Sequence, residues 1–267
     1  MFEQIVLGMI QGITEWIPIS SKTCVILAKI HLFKSHASAN ELLSYALFLH
    51  LGTFFAAVIY FWQDIVEIIK AIASPQKPSS DGRKILIFLL VTTILTGLGW
   101  ILNHKLAAIT QSFPRAQVAL MSVIAGLLIV TGFLQIKTKT TGKRTPTDLT
   151  IKDGLFAGLA QALATLPGMS RAGTTMATLA FLNFDKEYTL KLSFLMSLPV
   201  ILVANILMNY KAFLTLGIEW IGVATSFVVG ILSIRAIMAF ARRINFGGFL
   251  IFIGTLLAIA IMIRAID

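Results

Sequence analysis

Apolar residues in this chain fall in runs too long and too uniform for a soluble core. Six of them, Leu43 to Trp62, Ile85 to Leu102, Val118 to Ile136, Leu192 to Asn209, Leu214 to Ile234 and Phe246 to Ile263, come close to the roughly 20 residues that a membrane-spanning helix requires. Tyr60, Trp62 and Trp100 stand near run ends, where aromatic side chains anchor a helix at the lipid–water interface. Two further apolar segments are interrupted. Ile5 to Phe33 carries Glu15, Pro18, Ser20, Ser21 and Lys22, and Leu155 to Phe184 carries Pro167, Gly168, Ser170, Arg171 and Gly173. Each arm is too short to cross alone. Each segment therefore reads as a helix–loop–helix hairpin that enters and leaves on one side, the alternative being one kinked span. Broken backbone at membrane depth is tolerated only inside protein or beside a wet cavity.

The two interrupted segments resemble one another. Pro18-Ile19-Ser20-Ser21-Lys22 recurs as Pro167-Gly168-Met169-Ser170-Arg171, and Leu43-Ser44-Tyr45 recurs as Leu192-Ser193-Phe194, both 149 residues later. Upstream, Gly8 and Gln11 recur as Gly158 and Gln161. A constant offset across a break and the span after it indicates internal duplication. A hairpin crosses zero times and three spans follow it, so the second copy is inverted relative to the first. The expected fold is an all-α polytopic membrane protein with an inverted-topology repeat, about six full spans and two re-entrant hairpins. Inverted repeats of this kind place broken helices and binding sites near the midplane. The chain then forms a single membrane domain, 1–267. Repeat one covers about 1–136, a basic linker 137–150 with no separate function, and repeat two about 151–267.

Composition agrees. Charged residues make up 13% of the chain against about 25% in an ordinary soluble domain, and mean hydropathy is +0.87. The net charge of +10 would suggest nucleic acid in a soluble protein. Here Lys and Arg sit between apolar runs, where they set orientation and meet anionic lipid headgroups, so membrane lipids and not nucleic acid are the expected partners. Fourteen of the 22 basic residues fall on the side opposite the N-terminus, six on its own side and two in the breaks. The positive-inside rule then places both termini outside a plasma membrane. The first four residues show no basic leader pattern, so no removable signal peptide is expected. Cys24 is the single cysteine, which excludes an intramolecular disulfide. Gly and Ala in the spans permit close packing within one chain or between two, which leaves a homodimer open.

Ionisable groups inside a membrane segment are costly unless paired or wetted. Glu15, Lys22 and Arg171 are such groups. An Arg–Glu pair that only ties two hairpins together is one reading. The other is a polar pocket for an anion, with helix starts after both breaks, the donor fork of Arg171, and hydroxyls from Ser20, Ser21, Ser170, Thr174 and Thr175 beside Gly168. A carboxylate is out of place in a simple phosphate binder. It makes sense if Glu15 takes a proton or holds a divalent cation. His50, inside a span, is either a packing residue or a pocket residue. Thr92, Thr93 and Thr96 are expected to bond helix backbone.

These breaks also carry a resemblance. Gln11-Gly12-Ile13-Thr14-Glu15-Trp16-Ile17-Pro18-Ile19-Ser20-Ser21 resembles the (Glu/Gln)-x-x-x-Glu motif of undecaprenyl-pyrophosphate phosphatases. Pro167-Gly168-Met169-Ser170-Arg171-Ala172-Gly173-Thr174-Thr175 is similar to that family's Pro-Gly-x-Ser-Arg-Ser-x-x-Thr motif. His50-Leu51-Gly52-Thr53 and Ser193-Phe194-Leu195 extend the similarity over most of the chain. The resemblance implies a bacterial inner-membrane enzyme. It would hydrolyse a C55 polyprenyl pyrophosphate to the monophosphate, recycle the carrier for cell-wall synthesis, affect bacitracin sensitivity and use a divalent cation such as Mg or Ca. It implies that Glu15 is the catalytic carboxylate and Gln11 its variable partner. Ser21 would be nucleophile or phosphate ligand, with Ser170, Arg171 and Thr175 gripping phosphate. Where the family usually reads Ser/Thr-Gly-His after the two serines, this chain has Lys22-Thr23-Cys24, so the position of a catalytic histidine falls on Cys24. Either the phosphatase works with Glu15 and Ser21, or with Cys24 substituting, or the chain is an altered or non-catalytic relative that binds or flips a polyprenyl phosphate.

Overall fold

The structure is a computed structural model that describes residues 1–73, 81–110, 142–165, 169–210, 217–243 and 246–266, with scattered helical residues between 122 and 136. Among the described residues the fold is all helical, apart from one isolated bridge between Arg144 and Phe184. In chain order the helices are α1 (Phe2–Thr14), α2 (Ser21–His31), α3 (Ala39–Tyr60), α4 (Trp62–Ala73) and α5 (Asp81–Thr110), then α6 (Ile151–Leu163), α7 (Arg171–Phe181), α8 (Lys186–Asn209), α9 (Glu219–Arg243) and α10 (Phe246–Ile266). Four segments are long and apolar enough to cross a membrane: Ala39–Tyr60, Asp81–Asn103, Lys186–Asn209 and Glu219–Phe240. They coincide with the first, second, fourth and fifth apolar runs. The sixth run is α10, and most of the third lies outside the described residues.

Local chemistry starts the helices where the pattern places them. Ser20 caps α2 by accepting from the Thr23 amide, and Ser170 caps α7 by accepting from the Gly173 amide. Ser38 with Glu41 and Thr150 with Asp153 form reciprocal capping boxes on α3 and α6. A capped helix start follows each break, at Ser21 for α2 and at Arg171 for α7. Both second arms end alike. Lys34 and Asn183, 149 residues apart, each adopt a left-handed backbone conformation just past α2 and α7.

Packing is reciprocal. The first arm α1 lies on α9, and the matching arm α6 lies on α5. The long helices α3 and α8 pack on each other, with α9 also against α3. Glycine permits the closest of these approaches: a Cβ on Gly12 would meet Val229 Cβ at 2.8 Å, and one on Gly52 would meet Val223 O at 2.3 Å. Trp16 sits at the centre of the bundle, fully buried, edge-on to Phe194 at 5.0 Å and donating from Nε1 to Gly230 O at 3.1 Å. The outside is apolar. Leu90, Ile94, Leu98 and Ile101 form an exposed stripe on α5, and Leu202, Val203, Ile206 and Leu207 another on α8. Contiguous exposed apolar faces of this extent belong against lipid.

The linker has a structural job that the sequence did not reveal. Arg144 grips Asp153 through two bonds, Nη1 to Oδ1 at 2.8 Å and Nη2 to Oδ2 at 2.6 Å. It also donates to Leu182 O and Asp148 O and stacks over Phe184. It thereby fastens the start of α6 to the turn between α7 and α8. Burial pushes the Asp153 carboxyl up, but the bonds from Arg144 and Thr150 outweigh it and hold the group below the usual carboxylate range.

Candidate active site

The turn after α1 and the capped starts of α2 and α7 meet in a cleft. It is lined by Glu15, Ile19, Ser20, Ser21, Met169, Ser170, Arg171 and Ala172. Glu15, just past α1, is buried at its floor. Gln11, one turn earlier on α1, donates from Nε2 to Glu15 Oε2 at 2.9 Å. Ser21, first residue of α2, donates from Oγ to the same oxygen at 2.8 Å. Arg171, first residue of α7, pairs with Glu15 Oε1 through Nη2 and donates from Nη1 to Ser193 O at 2.9 Å. Two of its five N–H groups are used in this way, which leaves three for a ligand.

His50 enters from α3. Its Nε2 lies 3.2 Å from Ser21 Oγ and 3.1 Å from Glu15 Oε2, and its Nδ1 lies 2.6 Å from Ala46 O. Of the two roles left open for this residue, it occupies the one in the site. The Thr53 hydroxyl, one turn on, bonds His50 O and not the cleft. Lys22, second residue of α2, stands close enough to Glu15 and Arg171 to interact with both charges.

Other candidates are placed elsewhere. The Thr174 hydroxyl donates to Arg171 O, and Thr175, fully buried, bonds Arg171 O and the Ser193 hydroxyl at 2.6 Å. Both are turned into α7 and its contact with α8, and neither is among the cleft-lining residues. They act by holding Arg171. Ser20 and Ser170 line the cleft while their oxygens cap helices, which leaves their O–H groups as the donors they can offer. Cys24 is half-buried one turn into α2 and is not among the cleft-lining residues. Gly168 lies outside the described residues. Ser193 was overlooked. It orients Arg171 with its carbonyl and Thr175 with its hydroxyl, and its one sequence signal was its match to Ser44 in the duplication.

The donors do not suit a metal held by the protein. Among the described residues no three His, Cys, Asp or Glu side chains cluster as ligands. The oxygens of Glu15 already serve Gln11, Ser21 and Arg171. A divalent cation would have to be held mainly by the ligand's own phosphates.

The class of protein follows from the bundle and the cleft: a helical integral membrane protein with a buried carboxylate, hydroxyl, imidazole and guanidinium at the floor of an anion-suited site between two helix N-termini. Its residues 4–261 match the family described as bacitracin resistance protein BacA, and the chain belongs to that family. It is 34% identical over 262 residues to an undecaprenyl-diphosphatase of Methanococcoides burtonii, covering 95% of this chain and 96% of the relative. It is 34% identical over 268 residues to one of Moorella thermoacetica, covering 100% and 97%. A third, from Thermodesulfovibrio yellowstonii, is 32% identical over 249 residues, covering 91% and 89%.

Proposed function

We propose that this protein hydrolyses undecaprenyl pyrophosphate to undecaprenyl phosphate and inorganic phosphate, recycling the lipid carrier for cell-wall synthesis. The observation that carries this is the convergence of Ser21, Glu15 and Arg171 in one cleft at the starts of α2 and α7. The pyrophosphate lies against these helix starts, which favour anions. Three N–H groups of Arg171, the Ser20 and Ser170 hydroxyls and the charge of Lys22 bind its oxygens. Ser21 Oγ attacks the terminal phosphorus, and the bond from that phosphorus to the bridging oxygen breaks, releasing undecaprenyl phosphate. Water then cleaves the phosphoserine. Arg171 neutralises charge that grows on the transferred group, where most of the catalysis in phosphoryl transfer resides. Glu15 keeps Arg171 and Ser21 in register. A divalent cation enters with the substrate's phosphates, and no step is assigned to it.

The same reading gives the protein its place in the membrane. Six spans and two re-entrant hairpins, related as an inverted repeat, account for the capped breaks and the reciprocal packing of α1 on α9 and α6 on α5. The excess of basic residues on one face puts both termini outside the plasma membrane. A role confined to carrying or flipping the lipid leaves the Ser21–Glu15 bond beside the anion cleft without a purpose. The test is phosphate release from a C55 polyprenyl pyrophosphate by the purified protein, with and without Mg or Ca. Release is expected, and its absence under both conditions would reject the phosphatase.

A further inference from the structure

His50 reaches Ser21 and Glu15 from α3, which contributes none of the cleft-lining residues, and its ring is oriented by a contact that settles its tautomer. Ala46 O can only accept, so Nδ1, 2.6 Å away, carries the proton. The neutral ring then offers a lone pair at Nε2. That atom forms a triangle with Ser21 Oγ and Glu15 Oε2, with sides of 3.2, 3.1 and 2.8 Å. Two states fit the triangle. When the ring is charged, Nε2–H and the Ser21 hydroxyl both donate to Glu15. When it is neutral, Nε2 accepts the Ser21 proton. Glu15 Oε1 is taken by Arg171 and Oε2 by Gln11, so the carboxylate is occupied in holding the site together. In its neutral form the imidazole offers Nε2 within reach of the nucleophile.

Resting on the phosphatase reading above, we propose that His50 is the catalytic base that activates Ser21 from α3. His50 Nε2 takes the Ser21 proton as Oγ bonds to the terminal phosphorus and the bond to the bridging oxygen breaks with its electron pair. Departing undecaprenyl phosphate carries that proton away. In the second step His50 takes a proton from the attacking water and returns it to Ser21 Oγ as the phosphorus–Oγ bond breaks. The net change is the addition of one water. A positioned base of this kind contributes about 100- to 10,000-fold. The charged group against the ring is Glu15 from the turn after α1, which in turn pairs with Arg171 from α7 and interacts with Lys22 from α2. The neighbouring residues of α8 and α9, Asn205 and Ser226, do not titrate.

The experiment compares wild type with His50→Gln across pH. In wild type, kcat should fall on the acid side as one proton closes the base. In His50→Gln, kcat should drop at least about 100-fold and the acid limb should flatten. KM and the binding of a methylene-bridged, non-hydrolysable analogue should stay within about threefold. Retention of near-wild-type kcat with the acid limb intact would overturn the proposal. If His50→Gln does not elute as folded protein, wild-type protein labelled with 15N-histidine decides. One imidazole must titrate along the acid limb and be Nδ1-protonated when neutral, and its absence would overturn the proposal. An inactive wild type would instead reject the phosphatase itself.

Discussion

The two broken segments resemble one another in sequence yet place opposite charges in the cleft. After α1 the buried group is Glu15, and at the start of α7 it is Arg171, paired with it across the site. The glutamines one turn back show the same divergence. Gln11 donates to Glu15, whereas Gln161 donates to Thr96 on α5, away from the cleft. By the 149-residue offset Arg171 matches Lys22 and Glu15 matches Ala164, so a cation recurs in both segments whereas the carboxylate is found in the first alone. Carboxylate and Ser21 hydroxyl come from the first break and the guanidinium from the second, so the cleft combines unlike groups from two similar segments. Both helix starts are capped by a serine, Ser20 for α2 and Ser170 for α7, although at the 149-residue offset Ser170 matches Ser21.

That contrast can be broken most severely at Glu15. Glu15→Gln leaves the shape but removes the charge that aligns Arg171 and Ser21, and kcat should fall about 1,000-fold or more while the non-hydrolysable analogue still binds. The phosphate side comes next. Arg171→Lys keeps the charge but loses the planar fork, with an expected loss of about 100-fold in kcat/KM. Phosphate release measures both. The two glutamines sharpen the comparison. Gln11→Leu should lower kcat roughly tenfold. Gln161→Leu should leave activity unchanged and cost about 1 kcal/mol of stability, read by melting in detergent, because its bond to Thr96 is structural. If Gln161→Leu were the more damaging to turnover, the division of labour between the copies would be wrong. Cys24→Ala should retain activity within about threefold, since its thiol lies off the cleft.

The smallest effect belongs to the linker clamp. Asp153 has a folded-state pKa below its ordinary value, so its stabilisation is complete above about pH 4 and is lost as pH falls through the folded value. Melting temperature in detergent should decline in that window in wild type. It should already be lower by about 3 °C at pH 7 in Arg144→Ala, with the decline below pH 4 reduced.

Much of the fold was legible because lipid imposes simple rules on composition. A run of some 20 apolar residues has few alternatives to a helix, and a Pro, Gly or Ser cluster inside such a run has few alternatives to a break. The duplication was visible because its offset held across the break and the next span. The structure adds the paired left-handed residues, Lys34 and Asn183, which no propensity would have singled out. The linker was read as mere connection, since a basic, Thr-rich stretch gives no sign that Arg144 will meet a carboxylate nine residues on and a carbonyl beyond α7.

The site divides in the same way. Glu15, Ser21 and Arg171 declared themselves from the chain alone, because a charged or hydroxyl-bearing residue at a break within an apolar segment needs a partner. Which hydroxyls face the cleft was decided by helix phase. Ser170 at the cap lines it, while Thr174 and Thr175, one turn on, point into α7 and its neighbour. His50 shows the limit most clearly. Along the chain it is a lone histidine in a span, 29 residues from Ser21 and 35 from Glu15. Only the packing of α3 beside the break brings Nε2 to both, because bond-length proximity across separate helices is a property of the assembled bundle and of no local pattern. Lipid and duplication wrote the architecture into the sequence, whereas the choice of base and the orientation of the phosphate grip arose from how the helices close on one another.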